Sequence, residues 1–162
     1  ILGNVVPAIS GEEEKMQSET QKILGSLDDA GVTPHPVVVS AHTTRVPVID
    51  GHTEMVSIRF RDRVALEEVK SALTSWKARP QELRLPTAPE SPIEYLEAAN
   101  RPQPRLDAGR GRGMTVSVGR LRPCPVLGLK LAALGHNTIR GAAGAAVLNA
   151  ELMVADRWIE GD

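Results

Sequence analysis

Residues 114–121 and 127–134 each alternate in character with a period of two, the spacing that sends successive side chains to opposite faces of a β-strand. The intervening Arg122-Pro123-Cys124-Pro125 is short and turn-prone, so the two segments read as a hairpin. A lone hairpin cannot bury its apolar face, and it requires further strands and a covering layer. The rest of the chain offers both. Residues 37–46 and 53–60 are rich in β-branched side chains and are separated by the turn-forming stretch 47–51, which predicts a second strand pair. Met16, Thr20, Ile23, Leu24 and Leu27 recur at helical spacing within residues 11–27, with Ser10 and Glu13 as a capping box and Gly25 and Gly31 bracketing the end. Leu66, Val69, Leu73 and Trp76 mark another amphipathic helix, which Pro80 should end. Residues 80–113 are crowded with Pro, Arg and Gly and read as a long ordered loop containing one short extended piece at 93–96. A last helix is predicted over 138–159 with Asn137 as its N-cap. The sum is an α+β fold: a mixed, largely antiparallel sheet with helices on one face.

Composition narrows the function classes. A chain of 162 residues that is 41% hydrophobic can bury one core. Its net charge of −1 creates no long-range field toward nucleic acid or an anionic membrane, and 2% aromatic residues leave few platforms for stacking bases. The single cysteine, Cys124, excludes an internal disulfide framework and suits a reducing, cytoplasmic setting. His35, His42, His52 and His136 lack metal-ligand spacing, so no metal is expected. The small-residue run from Gly141 to Leu148 falls short of the roughly 20 apolar residues that a spanning helix needs. The start, Ile1-Leu2-Gly3-Asn4, has neither initiator Met nor signal-peptide character and reads as part of something longer.

Several clusters carry chemical possibilities beside plainer ones. In Gly11-Glu12-Glu13-Glu14-Lys15 the acids complement the positive end of a helix dipole, while Glu12 also extends the core-facing stripe with Lys15 as its i+3 neighbour. Arg45 and His52 both continue apolar faces of predicted strands. Seven positions apart, they share one site only if Pro47 and Gly51 supply a bend. From the pattern alone, an edge-strand surface charge for Arg45 and a hydrogen-bonded core or rim histidine for His52 are the favoured readings. Cys124 has no evident activating group beyond Arg122. The run from Arg101 through Arg112 reads as a solvated loop or as a basic RNA-binding tail. In Gly135-His136-Asn137-Thr138-Ile139-Arg140-Gly141 a helix start offers backbone N–H groups to an anion, and its small residues permit close packing.

Taken in order, GNVVPAISGEEEKM, RVPVIDGHTE, LPTAP, RPQPRLD and ALGHNTIRGAAGAAVLNAEL resemble the carboxy-terminal domain of aspartate-semialdehyde dehydrogenase, in the archaeal and fungal branch that also includes related acyl-CoA reductases. The resemblance covers nearly all of the chain. It implies an NADP-dependent interconversion of aspartate semialdehyde and aspartyl-4-phosphate, in aspartate-family amino-acid biosynthesis, through a thioester on a cysteine. It also implies a mixed-sheet domain like that of glyceraldehyde-3-phosphate dehydrogenase, following an amino-terminal coenzyme domain. By the same resemblance Arg45 grips the substrate carboxylate, His52 is the acid/base, Glu12 meets the substrate amino group, Lys15 binds phosphate, and Asn137 and Gly141 help to hold NADP. Residues 1–162 would be the substrate-binding and dimerisation domain, with its own amino-terminal coenzyme domain and a second copy as partners. The family's Gly-rich phosphate loop and nucleophile motif are not among these residues, and Cys124 does not sit in that motif, so the chain alone is expected to be inactive. The helix over 138–159 would pack on the coenzyme domain; in the isolated chain it is expected to be detached, mobile or buried against a second copy. An acyl-CoA reductase domain and a non-enzymatic RNA-binding domain are the alternatives.

Overall fold

The computed structural model describes residues 1–159 and divides into two compact units, Ile1–Pro47 and Val48–Asp162. The second unit holds a four-stranded sheet, in the order β3 (His52–Ile58), β6 (Gly128–Gly135), β5 (Val116–Cys124), β4 (Ile93–Leu96). β5 (Val116–Cys124) and β6 (Gly128–Gly135) form the hairpin anticipated from their alternation, with a register shift between Gly119 and Arg122. β3 (His52–Ile58) pairs antiparallel with β6, from His52 opposite Gly135 to Ile58 opposite Leu129. β4 (Ile93–Leu96) runs parallel to β5, which makes the sheet mixed. Alternation places Val56 and Ile58, Leu129, Leu131 and Ala133, Val116 and Val118, and Ile93 and Tyr95 in one apolar cluster, and Leu66, Val69 and Leu73 of α2 (Leu66–Ser75) cover it. This is the predicted α+β class, a mostly antiparallel mixed sheet with helical cover on one face.

Some expectations fail for local reasons. The partner of the segment over 53–60 is β6, not 37–46. Residues 37–46 form no strand; their one ladder contact is an isolated bridge between Arg45 and Val6. β-branched residues favour extended backbone but do not supply a neighbouring edge. α2 ends at Ser75, because Trp76 is already extended (φ −64°, ψ 129°). Pro80 instead stands in the first turn of the short α3 (Arg79–Glu82), where its missing N–H costs nothing.

The segment over 80–113 is more built than a loop. Besides α3 and β4 it contains α4 (Pro104–Asp107) and a 3₁₀ turn, Arg110–Gly113. Asp107 is buried; its carboxylate receives the Gln103 N–H at 2.7 Å and the Arg101 Nε–H at 2.6 Å. Gly119 has no alternative, since a Cβ there would lie 2.5 Å from the Arg101 carbonyl oxygen.

The final helix begins as one wide turn, Ile139–Ala143, whose hydrogen bonds reach back five residues: Gly141 N–H to the His136 carbonyl at 2.8 Å, and Ala143 N–H to that of Thr138 at 3.1 Å. It continues as α5 (Gly144–Ala155). Contrary to expectation, the helix is not detached from its unit. Leu148 is buried, Glu151 accepts the Thr87 N–H at 2.9 Å and hydroxyl at 2.6 Å, and Arg79 pairs with Asp156 at 2.7 Å. The LPTAP segment therefore docks this helix through its threonine. Val147, Val154 and Trp158 remain exposed.

The first unit contains α1 (Glu12–Ile23) and a small hairpin, β1 (Ser26–Asp28) with β2 (Gly31–Thr33), so Gly25 and Gly31 frame a hairpin as well as a helix end. Ser10 does not cap α1. Gly11 takes the cap position at φ 74°, and no side chain closes it. Glu13, assigned to that box, accepts the Thr43 N–H at 2.8 Å instead.

Candidate active site

His52 opens the edge strand β3 with an exposed side chain. Its backbone position is determined by its neighbours. Gly51 is buried at φ 108°, a conformation that favours glycine, and a Cβ there would come 2.9 Å from Leu134 Cδ1 and 3.3 Å from Pro104 Cβ. The Gly51 N–H donates to Asn137 Oδ1 at 3.0 Å. Asn137 is consequently not the helix cap that its position suggests. Thr138 holds the cap position without a side-chain cap bond, and the His136 Nδ1 lies 3.3 Å from the Thr138 N and 3.4 Å from the Ile139 N. With a lone pair at Nδ1, that imidazole accepts from N–H groups that the first helical turn leaves without partners. Gly141 lies one turn on, exposed and bonded to the His136 carbonyl. His52, Asn137 and Gly141 are thus brought to one end of the sheet through Gly51, Gly135 and His136.

The remaining sequence candidates lie in the first unit. Glu12 and Lys15 pair at 3.7 Å on the first turns of α1, with both side chains about half exposed. A pair so exposed contributes little stability, on the order of 0–1 kcal/mol, and both groups stay accessible to solute. Arg45 exchanges backbone hydrogen bonds with Val6, at 3.1 and 2.9 Å, and its guanidinium is exposed with no carboxylate partner among the described residues. Thr43, two residues earlier and buried, receives the Ile9 N–H on its hydroxyl at 3.2 Å and presents its own N–H to Glu13. This ties the Arg45 segment to the helical turn that carries Glu12 and Lys15. Glu13 and Thr43 make ties between these segments that sequence reading missed. Their signal was present in GEEEK and TTR, but a carboxylate in a first helical turn is ordinarily explained by the dipole.

Cys124 ends β5 at the hairpin turn, where the Leu127 N–H, 3.5 Å from Sγ, leads the influences that lower its thiol pKa; the Val126 N–H also contributes. It faces Gly128 across the hairpin, whereas His52 faces Gly135 at the other end of β6. At about 3.3 Å per residue, those ends are roughly 23 Å apart, so this thiol cannot exchange a proton with His52. The basic run is likewise tied inward: Arg101 to Asp107, and Arg110 Nε to Glu94 at 2.5 Å. The Arg101 guanidinium and the Gln103 N–H hold the Asp107 carboxyl below its ordinary pKa against the opposing effect of burial. Among the described residues no helix is long and apolar enough to cross a membrane.

Fold and site together define an α+β domain whose sheet carries, at one end, an exposed imidazole beside a helix-opening turn. A family model described as "Semialdehyde dehydrogenase, dimerisation domain" matches residues 1–140, and the chain belongs to that family. Aspartate-semialdehyde dehydrogenase of Archaeoglobus fulgidus is 49% identical over 159 residues, covering 98% of this chain and 45% of that protein. That of Candida albicans is 48% identical over 166 residues, covering 98% and 46%. The Candida albicans crystal structure with NADP superposes with a TM-score of 0.89 at 47% identity, covering 98% of this chain and 46% of that one. An aspartate semialdehyde dehydrogenase II from Vibrio cholerae, crystallised as a complex with ASA, gives 0.73 at 32% identity, covering 95% and 42%. The chain spans about half the length of the relatives it matches.

Proposed function

We propose that residues 1–162 form the carboxy-terminal, substrate-binding and dimerisation half of an NADP-dependent aspartate-semialdehyde dehydrogenase in the cytoplasm. The reading is carried by the placement of an exposed His52 beside the turn of Asn137 and Gly141, through the Gly51–Asn137 hydrogen bond. Similarity near one half over 98% of the chain supports it. In this reading Arg45 binds the substrate carboxylate through its guanidinium fork, Glu12 receives the substrate amino group, and Lys15 attracts phosphate. His52 relays the proton at the reacting centre, a task for which imidazole has the right intrinsic range. NADP accepts the hydride, and Asn137 and Gly141 contribute one edge of its site. The reacting thiol, the remainder of the coenzyme site and a second copy of the polypeptide are the partners. The exposed apolar side chains Val147 and Val154 of α5, with Trp158 just beyond its end, form the surface that meets the coenzyme domain.

The test is the oxidation of aspartate semialdehyde with phosphate and NADP to aspartyl-4-phosphate and NADPH. The full-length polypeptide should catalyse it, and residues 1–162 alone should not, since Cys124 on β5 lies opposite Gly128, at the end of β6 remote from the Gly135 that faces His52. In the full-length protein Arg45→Ala should chiefly raise KM and His52→Ala chiefly lower kcat. NADPH formation by residues 1–162, or unchanged kinetics in both variants, would overturn the assignment.

A further inference from the structure

We propose that Asn137 is a positioning residue for His52, in addition to any contact it makes with the coenzyme; this rests on the function proposed above. The Asn137 carboxamide has two ends with different capacities. Its oxygen is committed, because the Gly51 N–H can only donate and lies 3.0 Å away. That fixes the amide orientation and leaves the NH₂, which makes no hydrogen bond among the described residues, able to donate to a ligand. Gly51 is the residue immediately before the imidazole, and the geometry leaves it little freedom. Leu134 and Pro104 crowd the place of its missing side chain, φ is 108°, and the next residue is locked into the ladder opposite Gly135. The Asn137 oxygen supplies a hydrogen-bonding restraint that packing does not. Without it the Gly51 N–H is a buried donor lacking its partner, and the peptide that aims His52 can rotate to find another. A group that acts on a proton at hydrogen-bond range is sensitive to displacements of that size. One side chain thereby connects the coenzyme turn to the acid/base.

Two substitutions in the full-length enzyme separate this role from coenzyme binding. Asn137→Leu keeps the bulk and removes the acceptor, whereas Asn137→Asp keeps an acceptor oxygen and removes the NH₂. In the Leu variant kcat should fall by about tenfold or more, the Gly51 amide should exchange roughly tenfold faster, and the His52 ring resonances should move. The Asp variant should restore the Gly51 protection and the His52 resonances and recover most of kcat, while its KM for NADP rises. The proposal is overturned if Gly51 exchange and the His52 resonances are unchanged in the Leu variant and the defect is confined to KM for NADP, or if the Asp variant fails to restore them. Exchange and resonances are read without substrate, so they still decide whether Asn137 positions His52 if the wild-type protein turns over some other substrate.

Discussion

The two units of this chain are built on different principles. Every residue of the buried apolar core, including Met114, Val118, Leu131, Leu134 and Leu148, belongs to Val48–Asp162, where four strands pair and α2 covers them. Ile1–Pro47 buries no large apolar side chain; its buried residue is Thr43, and Leu27 is 79% exposed and Val38 93%. The first unit is shaped by hydrogen bonds, Glu13 to Thr43, Thr43 to Ile9 and Gln21 to Val37, rather than by a core. Because a net hydrogen bond contributes about 1 kcal/mol and a buried leucine about 2–3, the two should differ widely in local stability. The proposed substrate contacts Glu12, Lys15 and Arg45 all lie in the weaker unit, and His52 in the stronger.

The largest effect should appear in hydrogen exchange of the isolated chain. Amides over 37–46 should exchange by local opening, orders of magnitude faster than those of β5 and β6, which open only with the whole sheet. Equal protection in the two regions of a monomer would show that the first unit is as well supported as the second. Next in size is a pair of leucine truncations. Leu134→Ala removes a side chain that is 1% exposed and should cost about 3 kcal/mol, while Leu27→Ala should fall within about 0.5 kcal/mol of wild type. Similar shifts of the denaturation midpoint for the two would break the contrast.

A smaller effect belongs to the buried carboxylate of the second unit. Asp107→Ala strands the Gln103 N–H and frees Arg101, which should cost about 2 kcal/mol. Since the folded state lowers the Asp107 pKa, its contribution is present in full above the unfolded value of about 3.9 and is lost as pH falls through the lower folded value. Urea midpoints measured from pH 5 downward should therefore decline less steeply in Asp107→Asn than in wild type. Parallel acid limbs would remove the ion pair from the stability of this unit.

The same contrast explains what the sequence could and could not reveal. The β5–β6 hairpin was legible because alternation and a short proline-rich turn are local signals. α2 was legible from Leu66, Val69 and Leu73, whereas His52 and Arg45 were singled out by the motif around them alone. The partner of β3 was not, because pairing with β6 is non-local and leaves no mark on either segment alone. Residues 37–46 misled for the opposite reason: they have the composition of a strand and no edge to join. Asn137 has the residue type of a cap, but its oxygen accepts from Gly51 and the cap position falls one residue later, at Thr138. For β3 and for Asn137 a tertiary partner displaced the nearest local one.

The smallest effect on stability should be the most informative about function. Glu13→Ala removes the acceptor for the Thr43 N–H in a unit without a core, so global stability, set by the sheet, should change by less than about 1 kcal/mol. The local consequence is larger. Thr43 would lose its tie to α1, and with it the fixed relation between Arg45 and the turn of Glu12 and Lys15. In the full-length enzyme KM for the semialdehyde should then rise several-fold while kcat, which depends on His52 in the other unit, changes little. Glu13→Gln keeps an oxygen acceptor for the same N–H and should restore most of the binding. A loss of kcat equal to the loss in kcat/KM, or a failure of Gln to rescue, would mean that Glu13 acts on the substrate or on folding and not through the placement of Arg45.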